Sequence, residues 1–305
     1  MNAPVVFIIF NRPDVAERVF ARIRRAQPSQ LLVVADGPRP GHAGEAEKCA
    51  ASRALIEGVD WDCQVLKNYS DENMGCRRRI VTGMSWAFDQ VEQAIILEDD
   101  CLPEPTFFRF CEELLLKYRT DERVMTVCGD NYLLGRKRMP YSYFFHYIAG
   151  GWGWATWRRA WQYLDMELKL WPMLRETSWL TDILVDARAV KYWRNIFDWV
   201  YEGGEKIDAW DYQWIFAIWA QHGLAATAAM NLISNLGCGD DATHTRSADS
   251  VLANIATGSM EFPLRHPPYM FSDREADKLI FENIYLPEMR AGASYPYRLL
   301  QRIIP

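Results

Sequence analysis

The chain has 305 residues, of which 50% are hydrophobic and 24% charged, and its formal net charge is −6 at pH 7. Its lysines and arginines form no basic stripe, which argues against nucleic acid as a partner. The sequence contains no apolar run long enough to cross a bilayer and no signal-peptide pattern, so we expect a cytoplasmic protein. The seven cysteines show no CxxC pair and no zinc-ligand spacing, which favours reduced thiols.

The first half of the chain alternates between strand and helix patterns. Short β-branched and apolar runs predict five strands, at residues 5–10, 31–35, 63–66, 94–97 and 124–128. Apolar residues at helical spacing predict four helices, one opening at Pro13 and the others at residues 46–56, 75–91 and 107–118. Alternation of this kind predicts an α/β fold with βαβ units and a mostly parallel sheet flanked by helices.

The composition changes after about residue 140. Eleven of the 13 tryptophans lie between Trp152 and Trp219, and strands become hard to recognise there. Helices are predicted at residues 158–163, 187–201 and 211–222, and residues 240–258 have the composition of a loop.

Polar residues follow three of the predicted strands directly. Arg12 follows the first strand, Asp36 the second, and Glu98, Asp99 and Asp100 the fourth. In a parallel sheet these positions share the carboxyl edge, where open α/β sheets bind ligands. A cation, a lone acid and an acid triplet on one edge suit a nucleotide diphosphate with a divalent metal. The chain has neither a GxxxxGK[ST] loop nor a GxGxxG fingerprint.

Several motifs together resemble those of GT-A-fold nucleotide-sugar glycosyltransferases, in particular the inverting N-acetylglucosaminyltransferase I family. The resemblance extends over roughly residues 4–220 and rests on six motifs in order: Asn11-Arg12-Pro13, Ala35-Asp36-Gly37, Glu98-Asp99-Asp100, Tyr143-Phe144-Phe145, Gly150-Gly151-Trp152-Gly153-Trp154 and Ala209-Trp210-Asp211. It implies a Rossmann-like GT-A sheet with an aromatic-rich C-terminal acceptor lobe. It also implies a division into residues 1–140, which bind the nucleotide sugar, and residues 141–305, which supply the acceptor site and the base, within one catalytic unit.

The resemblance implies roles at the sheet edge. Arg12 and Asp36 would hold the nucleotide base. Asp100 would coordinate Mn²⁺ or Mg²⁺ on the diphosphate, while Glu98 and Asp99 would contact the sugar or the ribose. We expect a UDP-linked donor and an acceptor hydroxyl on a glycan or a lipid-linked glycan.

The resemblance places the general base at Asp211. Tyr212 stands where the family has a second acid, so Asp208 is the alternative base. An inverting reaction needs such a carboxylate to take the acceptor proton.

Five further residues have both a functional and a structural interpretation. Trp152, Gly153 and Trp154 fit either a sugar site or ordinary aromatic core. His244 is either a second metal ligand, as in some GT-A enzymes, or a surface residue. Arg77 either contacts the donor diphosphate or belongs to a solvated charge run.

Two other kinds of protein fit parts of the pattern. A sugar-1-phosphate nucleotidyltransferase also uses an open α/β sheet with acidic metal ligands, but it would ordinarily show a glycine-rich loop near its start. A non-catalytic sugar-binding protein with a GT-A-like fold is the second alternative. The tail at residues 295–305, with arginines at 290, 298 and 302, fits either a peripheral anchor at the inner membrane face or a helix packed on the body.

Overall fold

The computed structural model describes residues 1–237 and 255–287. The strands in these residues are β1 (Val5–Ile9), β2 (Gln30–Ala35), β3 (Gln64–Tyr69), β4 (Gln93–Glu98), β5 (Cys101–Pro103), β6 (Val124–Cys128), β7 (Tyr143–His146), β8 (Trp154–Trp157), β9 (Leu224–Ala228) and β10 (Ile233–Asn235).

Eight of these strands form one sheet in the order β3-β2-β1-β4-β8-β6-β9-β7. The pairs β1–β2, β2–β3, β1–β4 and β6–β9 are parallel, while β8 is antiparallel to β4 and β6, and β7 to β9. Six strands therefore run in one direction and two in the other. The remaining strands, β5 and β10, form a separate antiparallel pair.

Helices cover the sheet. They are α1 (Pro13–Ala26), α2 (Glu45–Ala54), α3 (Cys76–Gln90), α4 (Thr106–Lys117), α5 (Arg158–Trp161), α6 (Trp171–Leu174), α7 (Trp179–Ile183), α8 (Ala187–Gly203), α9 (Asp211–Ala220) and α10 (Arg274–Ile280), with 3₁₀ turns at Leu55–Gly58 and Gly204–Lys206 and a π turn at Phe281–Tyr285. Among the described helices, none combines the length and the apolar character needed to cross a membrane. The α/β class and the mostly parallel sheet flanked by helices are thus confirmed.

The central strands match the sequence expectation because both of their faces are covered. Every residue of β1 and β6 is buried, as are the four apolar residues of β4. The edge strand β3 runs three residues beyond its predicted end at Leu66. Its side chains are only partly buried, so its apolar pattern fades before the strand itself ends.

Strands from the aromatic second half complete the same sheet. The strand β8 lies between β4 and β6, so the sheet continues across the predicted boundary at residue 140. Trp154 on β8 is only 1% exposed, and its ring stacks on Trp210 at 5.5 Å and lies 5.9 Å from Trp214. Aromatic packing of this kind provides the core of the second half.

Candidate active site

The polar residues that follow the parallel strands do meet at one edge of the sheet. Ile8 on β1 is in register with Glu98 on β4, and Ile9 is in register with Ala35 on β2. Arg12 therefore lies beside Asp99 and Asp100, which follow β4.

Arg12 bridges two acids of the triplet. Its guanidinium donates to Asp99 and lies 3.0 Å from Asp100 Oδ2. Asp99 also accepts from the backbone N–H of Phe10 at 3.1 Å. The Asp99 side chain is 3% exposed and that of Asp100 is 15% exposed, so Asp100 is the acid of this pair that faces solvent.

Repulsion within the acid triplet strongly affects the Glu98 carboxyl group. Within residues 1–237 and 255–287 its side chain has no hydrogen-bond partner, although the charge of Arg12 lies nearby. Burial, followed by the charges of Asp100 and Asp99, raises the pKa of Glu98 to about 8. Asp211, from the second half of the chain, raises it further. A cation bound here would relieve this repulsion.

The strand pair β5–β10 brings a backbone segment against Asp100. The N–H of Leu236 donates to the carbonyl oxygen of Asp100 at 2.8 Å. A Cβ atom at Gly237 would overlap the Asp100 carboxylate and crowd the Arg12 guanidinium at 2.8 Å. A side chain at position 237 would therefore displace the Asp100 carboxylate from its place beside Arg12.

Asp36 organises the loop that precedes α3. Its carboxylate accepts from the backbone N–H groups of Met74 at 2.9 Å and Gly75 at 3.2 Å, and from Asn73 Nδ2 at 3.0 Å. It also accepts from the N–H of Gly37 at 2.9 Å. Burial is the largest cause of its raised pKa, and the backbone N–H groups of Met74, Gly37 and Gly75 oppose that rise. The Asp36 carboxylate is therefore hydrogen-bonded to the protein's own loops at this edge of the sheet.

Asp208 and Arg77 connect the two halves of the chain. Asp208 accepts from the N–H of Arg77 at 2.7 Å and of Cys76 at 3.3 Å, which caps the N-terminus of α3. The Arg77 guanidinium donates to the carbonyl oxygens of Gly204 at 2.8 Å and Met166 at 3.0 Å. Both side chains hold the second half against α3.

Asp211 begins α9 and is exposed. The residue before it, Trp210, is anchored by its stack on Trp154. The charges of Asp211 and Asp208, together with those of Glu98 and Asp100, contribute to the raised pKa of the Cys76 thiol, whose largest cause is burial. Acids from both halves thus surround the start of α3.

Sequence reasoning missed one buried acid on the same edge, Asp130. It lies two residues beyond β6, and one carboxylate oxygen accepts from the N–H of Trp152 at 3.0 Å and from the Tyr132 hydroxyl at 2.8 Å. The other oxygen is buried without a hydrogen bond in the described part of the chain and faces Gly150, where a Cβ would overlap it. Burial raises the pKa of Asp130 to about 6. The position of Asp130 just beyond a predicted strand is the sequence feature that could have identified it.

The three residues of the Gly-Trp segment have different environments. Trp152 is partly exposed and lies edge-to-face with Tyr132 at 5.9 Å. Gly153 has a φ of +61° and abuts Ile233, so close packing requires glycine there. Trp154 belongs to the core, as described above. Of the three, Trp152 is the side chain available to a ligand.

A metal would find few protein ligands here. No group of three or more His, Cys, Asp and Glu side chains is arranged to hold a metal ion within residues 1–237 and 255–287. Such a cage is not required, because Mg²⁺ is usually held by one or two carboxylates together with substrate phosphates and water. The solvent-facing Asp100 and the raised pKa of Glu98 fit that mode. His244 lies outside the described residues.

Comparisons with known proteins give structural similarity only. No family model matches the chain, and no curated protein matches it significantly. Among solved structures it is similar to a mannosyltransferase from Pyrobaculum calidifontis in complex with GDP-Man and Mn²⁺, with 17% identity, a TM-score of 0.36, and coverage of 51% of this chain and 44% of that one. This chain thus spans less than half of that enzyme.

Two nucleotidyltransferase-type enzymes are similar at the same level. A UDP-glucose pyrophosphorylase complexed with UDP-glucose aligns at 13% identity and a TM-score of 0.29, covering 50% of this chain and 64% of that one. A 4-diphosphocytidyl-2C-methyl-D-erythritol synthase from Anaerococcus prevotii aligns at 12% identity and a TM-score of 0.29, covering 52% and 72%.

Proposed function

We propose that this protein is a metal-dependent, inverting glycosyltransferase. It would move a sugar from a nucleotide diphosphate donor, in our proposal UDP-linked, to a hydroxyl of a glycan or lipid-linked glycan. The observation that carries the proposal is the convergence of acids from both halves of the chain. Asp100 lies two residues beyond β4, and Asp211 at the start of α9 is close enough for its charge to act on Glu98.

The acids at and just after the end of β4 would have different roles in binding the donor. Asp100 would hold Mn²⁺ or Mg²⁺, which when bound would stabilise the charge of the departing nucleoside diphosphate. Arg12 keeps Asp99 and Asp100 in place through its two contacts and is itself partly exposed, so it can also face the nucleotide. Glu98 would lie beside the donor sugar.

The loop that Asp36 holds would form the nucleotide-side wall. Three of the four hydrogen-bond donors on its carboxylate come from residues 73–75, so they fix that loop and therefore the start of α3. In this arrangement Asp36 shapes the base site chiefly through the loop. Arg77 would likewise act through the Gly204 and Met166 carbonyls that it holds.

Asp211 is the better candidate for the general base. Asp208 accepts two backbone hydrogen bonds that cap α3, whereas the charge of Asp211, at the start of a helix that tryptophan stacking fixes, acts on Glu98 at the donor side. A carboxylate there would accept the proton of the acceptor hydroxyl as that oxygen attacks the anomeric carbon. Proton transfer to a positioned base of this kind typically accelerates a reaction by about 10²–10⁴-fold.

The connection after β1 favours glycosyl transfer over nucleotidyl transfer. Only Phe10, Asn11 and Arg12 separate β1 from α1, and none is glycine. A nucleotidyltransferase would ordinarily place a glycine-rich phosphate loop at this point. A non-catalytic sugar-binding protein would have no need of the exposed acid at Asp211.

A hydrolysis screen tests the proposal. Nucleotide sugars carrying UDP or GDP are incubated with the protein and Mn²⁺, and the anomeric configuration of the released sugar is read by NMR. We expect slow, metal-dependent release with inversion from one donor, and its loss in Asp100→Ala. Retention of configuration would contradict the inverting mechanism. Undiminished Mn²⁺-dependent UDP binding by Asp100→Ala would contradict the metal role.

A further inference from the structure

A groove of about 990 Å³ opens on the carboxyl side of β6 and β9, beside the candidate active site. Asn131 and Asn231 form its polar frame, since the N–H of Asn131 donates to Asn231 Oδ1 at 3.1 Å and Asn131 Nδ2 donates to the Ala228 carbonyl at 2.7 Å. The loops at residues 133–142 and 255–265 form its walls.

The groove and Asp100 lie at opposite ends of one short segment. Asn231 lies in the groove, β10 begins two residues later, and Gly237 reaches the Asp100 carboxylate. Six residues span at most about 20 Å. A single extended acceptor could therefore lie in the groove and present a hydroxyl near the acids.

The lining of the groove is mainly apolar. Three methionines, two leucines and an aromatic ring contribute to it: Met139, Met230, Met260, Leu133, Leu134 and Phe262. Methionine-rich surfaces adapt to flexible apolar ligands. This lining suits an alkyl chain better than a row of sugar hydroxyls.

Charged side chains on the groove favour an anion. The three cations are Lys137, Arg138 and Arg265, and Glu261 is the acid among the lining residues. Lys137 is held by Asp273 and Glu275, each at 2.7 Å. The guanidinium groups of Arg138 and Arg265 make no ion pair or hydrogen bond within residues 1–237 and 255–287. Unpaired arginines are well suited to phosphate.

Exposed apolar side chains cluster around the same groove. Leu134 and Met230 line it and are 37% and 38% exposed. Tyr141 in the wall contacts Tyr269 edge-to-face at 5.8 Å, and Tyr269 stacks on Phe271, which is 59% exposed. Exposed apolar patches on soluble proteins mark partner or membrane sites.

We propose that this groove binds the lipid-phosphate part of a lipid-linked acceptor, with Arg138 and Arg265 on the phosphate and the methionine-lined wall on the alkyl chain. The proposal rests on the proposed function and narrows its acceptor to the lipid-linked class. A neutral glycan would leave both arginines unused, and a free phosphate would leave the apolar wall unused.

The test uses farnesyl diphosphate as the probe, with inorganic diphosphate and farnesol as comparison ligands. Binding to the full chain is measured by calorimetry in EDTA, so that metal-dependent binding near Asp100 does not contribute. We expect farnesyl diphosphate to bind at least about tenfold more tightly than either comparison ligand. The double variant R138Q/R265Q should lose about tenfold or more in that affinity.

A matched control has the same change in net charge. Arg18 and Arg25 are exposed on α1, and R18Q/R25Q should retain the wild-type affinity within about twofold. Met230→Gln should weaken farnesyl diphosphate binding severalfold and leave diphosphate binding unchanged.

Three results would overturn the proposal. In the first, diphosphate or farnesol binds as tightly as farnesyl diphosphate. In the second, R138Q/R265Q keeps its affinity for farnesyl diphosphate, and in the third that variant loses only its binding to anionic lipid vesicles. A separate titration with Mn²⁺ and UDP reports on the donor site. Binding of the prenyl ligand without binding of UDP would contradict the proposed function and leave the groove assignment standing.

Discussion

The Asp208 carboxylate accepts a hydrogen bond of 2.7 Å from the backbone N–H of Arg77, 131 residues earlier in the chain. This contact caps α3 and draws the second half of the chain onto the edge where β1, β2 and β4 end. Asp208 therefore has a structural task at the place where sequence reasoning offered it as an alternative base.

The two candidate bases can be separated by asparagine substitution. Asparagine caps a helix about as well as aspartate, so Asp208→Asn should keep near-normal transfer and stability. Asp211→Asn should fold normally and lose about 10²–10⁴-fold in kcat, because asparagine cannot accept the proton. Transfer kinetics and thermal unfolding of both variants provide the measurement. Normal transfer by Asp211→Asn together with inactive Asp208→Asn would reverse the assignment.

Gly237→Ala should abolish metal-dependent nucleotide binding. An added Cβ would overlap the Asp100 carboxylate and push on Arg12, so the acids could not keep their positions. Calorimetry with Mn²⁺ and UDP provides the measurement. Gly151→Ala is the control, because a Cβ there meets nothing within 4 Å. Equal UDP affinities in the two variants would show that the segment at Gly237 does not shape the site.

Asp36→Ala should destabilise the protein by about 1–3 kcal/mol, because it leaves several buried or partly buried N–H groups without an acceptor. The free energy of unfolding from urea titration measures this. The control is Asp62→Ala, an exposed acid whose loss should change stability by no more than about 0.5 kcal/mol. If Asp36→Ala unfolds like the wild type but loses UDP affinity, then Asp36 acts on the nucleotide directly.

Asp130 predicts a particular pH dependence of stability. Burial raises its pKa from 3.8 to about 6, so the folded state binds this proton more tightly than the unfolded state. This stabilising contribution is complete below about pH 4 and is lost as the pH rises through about 6. Asp130→Asn does not titrate. Relative to that variant, the wild type should therefore lose about 2 kcal/mol between pH 4.5 and pH 7.5.

Urea unfolding of wild type and Asp130→Asn across this range checks the prediction. The exposed variant Asp62→Asn supplies the baseline for general pH effects. A difference between wild type and Asp130→Asn that stays constant with pH would mean that the Asp130 carboxylate is not protonated preferentially in the folded protein.

Sequence patterns alone were sufficient for the buried parallel strands of the first half, although they missed the short strand β5 at Cys101–Pro103. Continuous apolar runs and helical periodicity are local signals, and β1, β2, β4 and β6 lie where they were predicted because both faces of these strands are buried. The meeting of Arg12 with Asp99 and Asp100 followed from one topological rule, namely that parallel strands end at a common edge.

The tertiary structure decided what those side chains do. Whether Asp36 faces a ligand or a loop, whether Trp154 is a platform or core, and whether Asp208 is a base or a cap depend on contacts between residues 37 to 132 positions apart. Such pairings leave no periodicity in the sequence. The antiparallel strand β8, which lies between β4 and β6, could likewise not be predicted from the sequence, because its place in the sheet depends on the packing of its tryptophans. The sequence thus determined the edge and its charges, and the fold determined which of those charges remain available to a substrate.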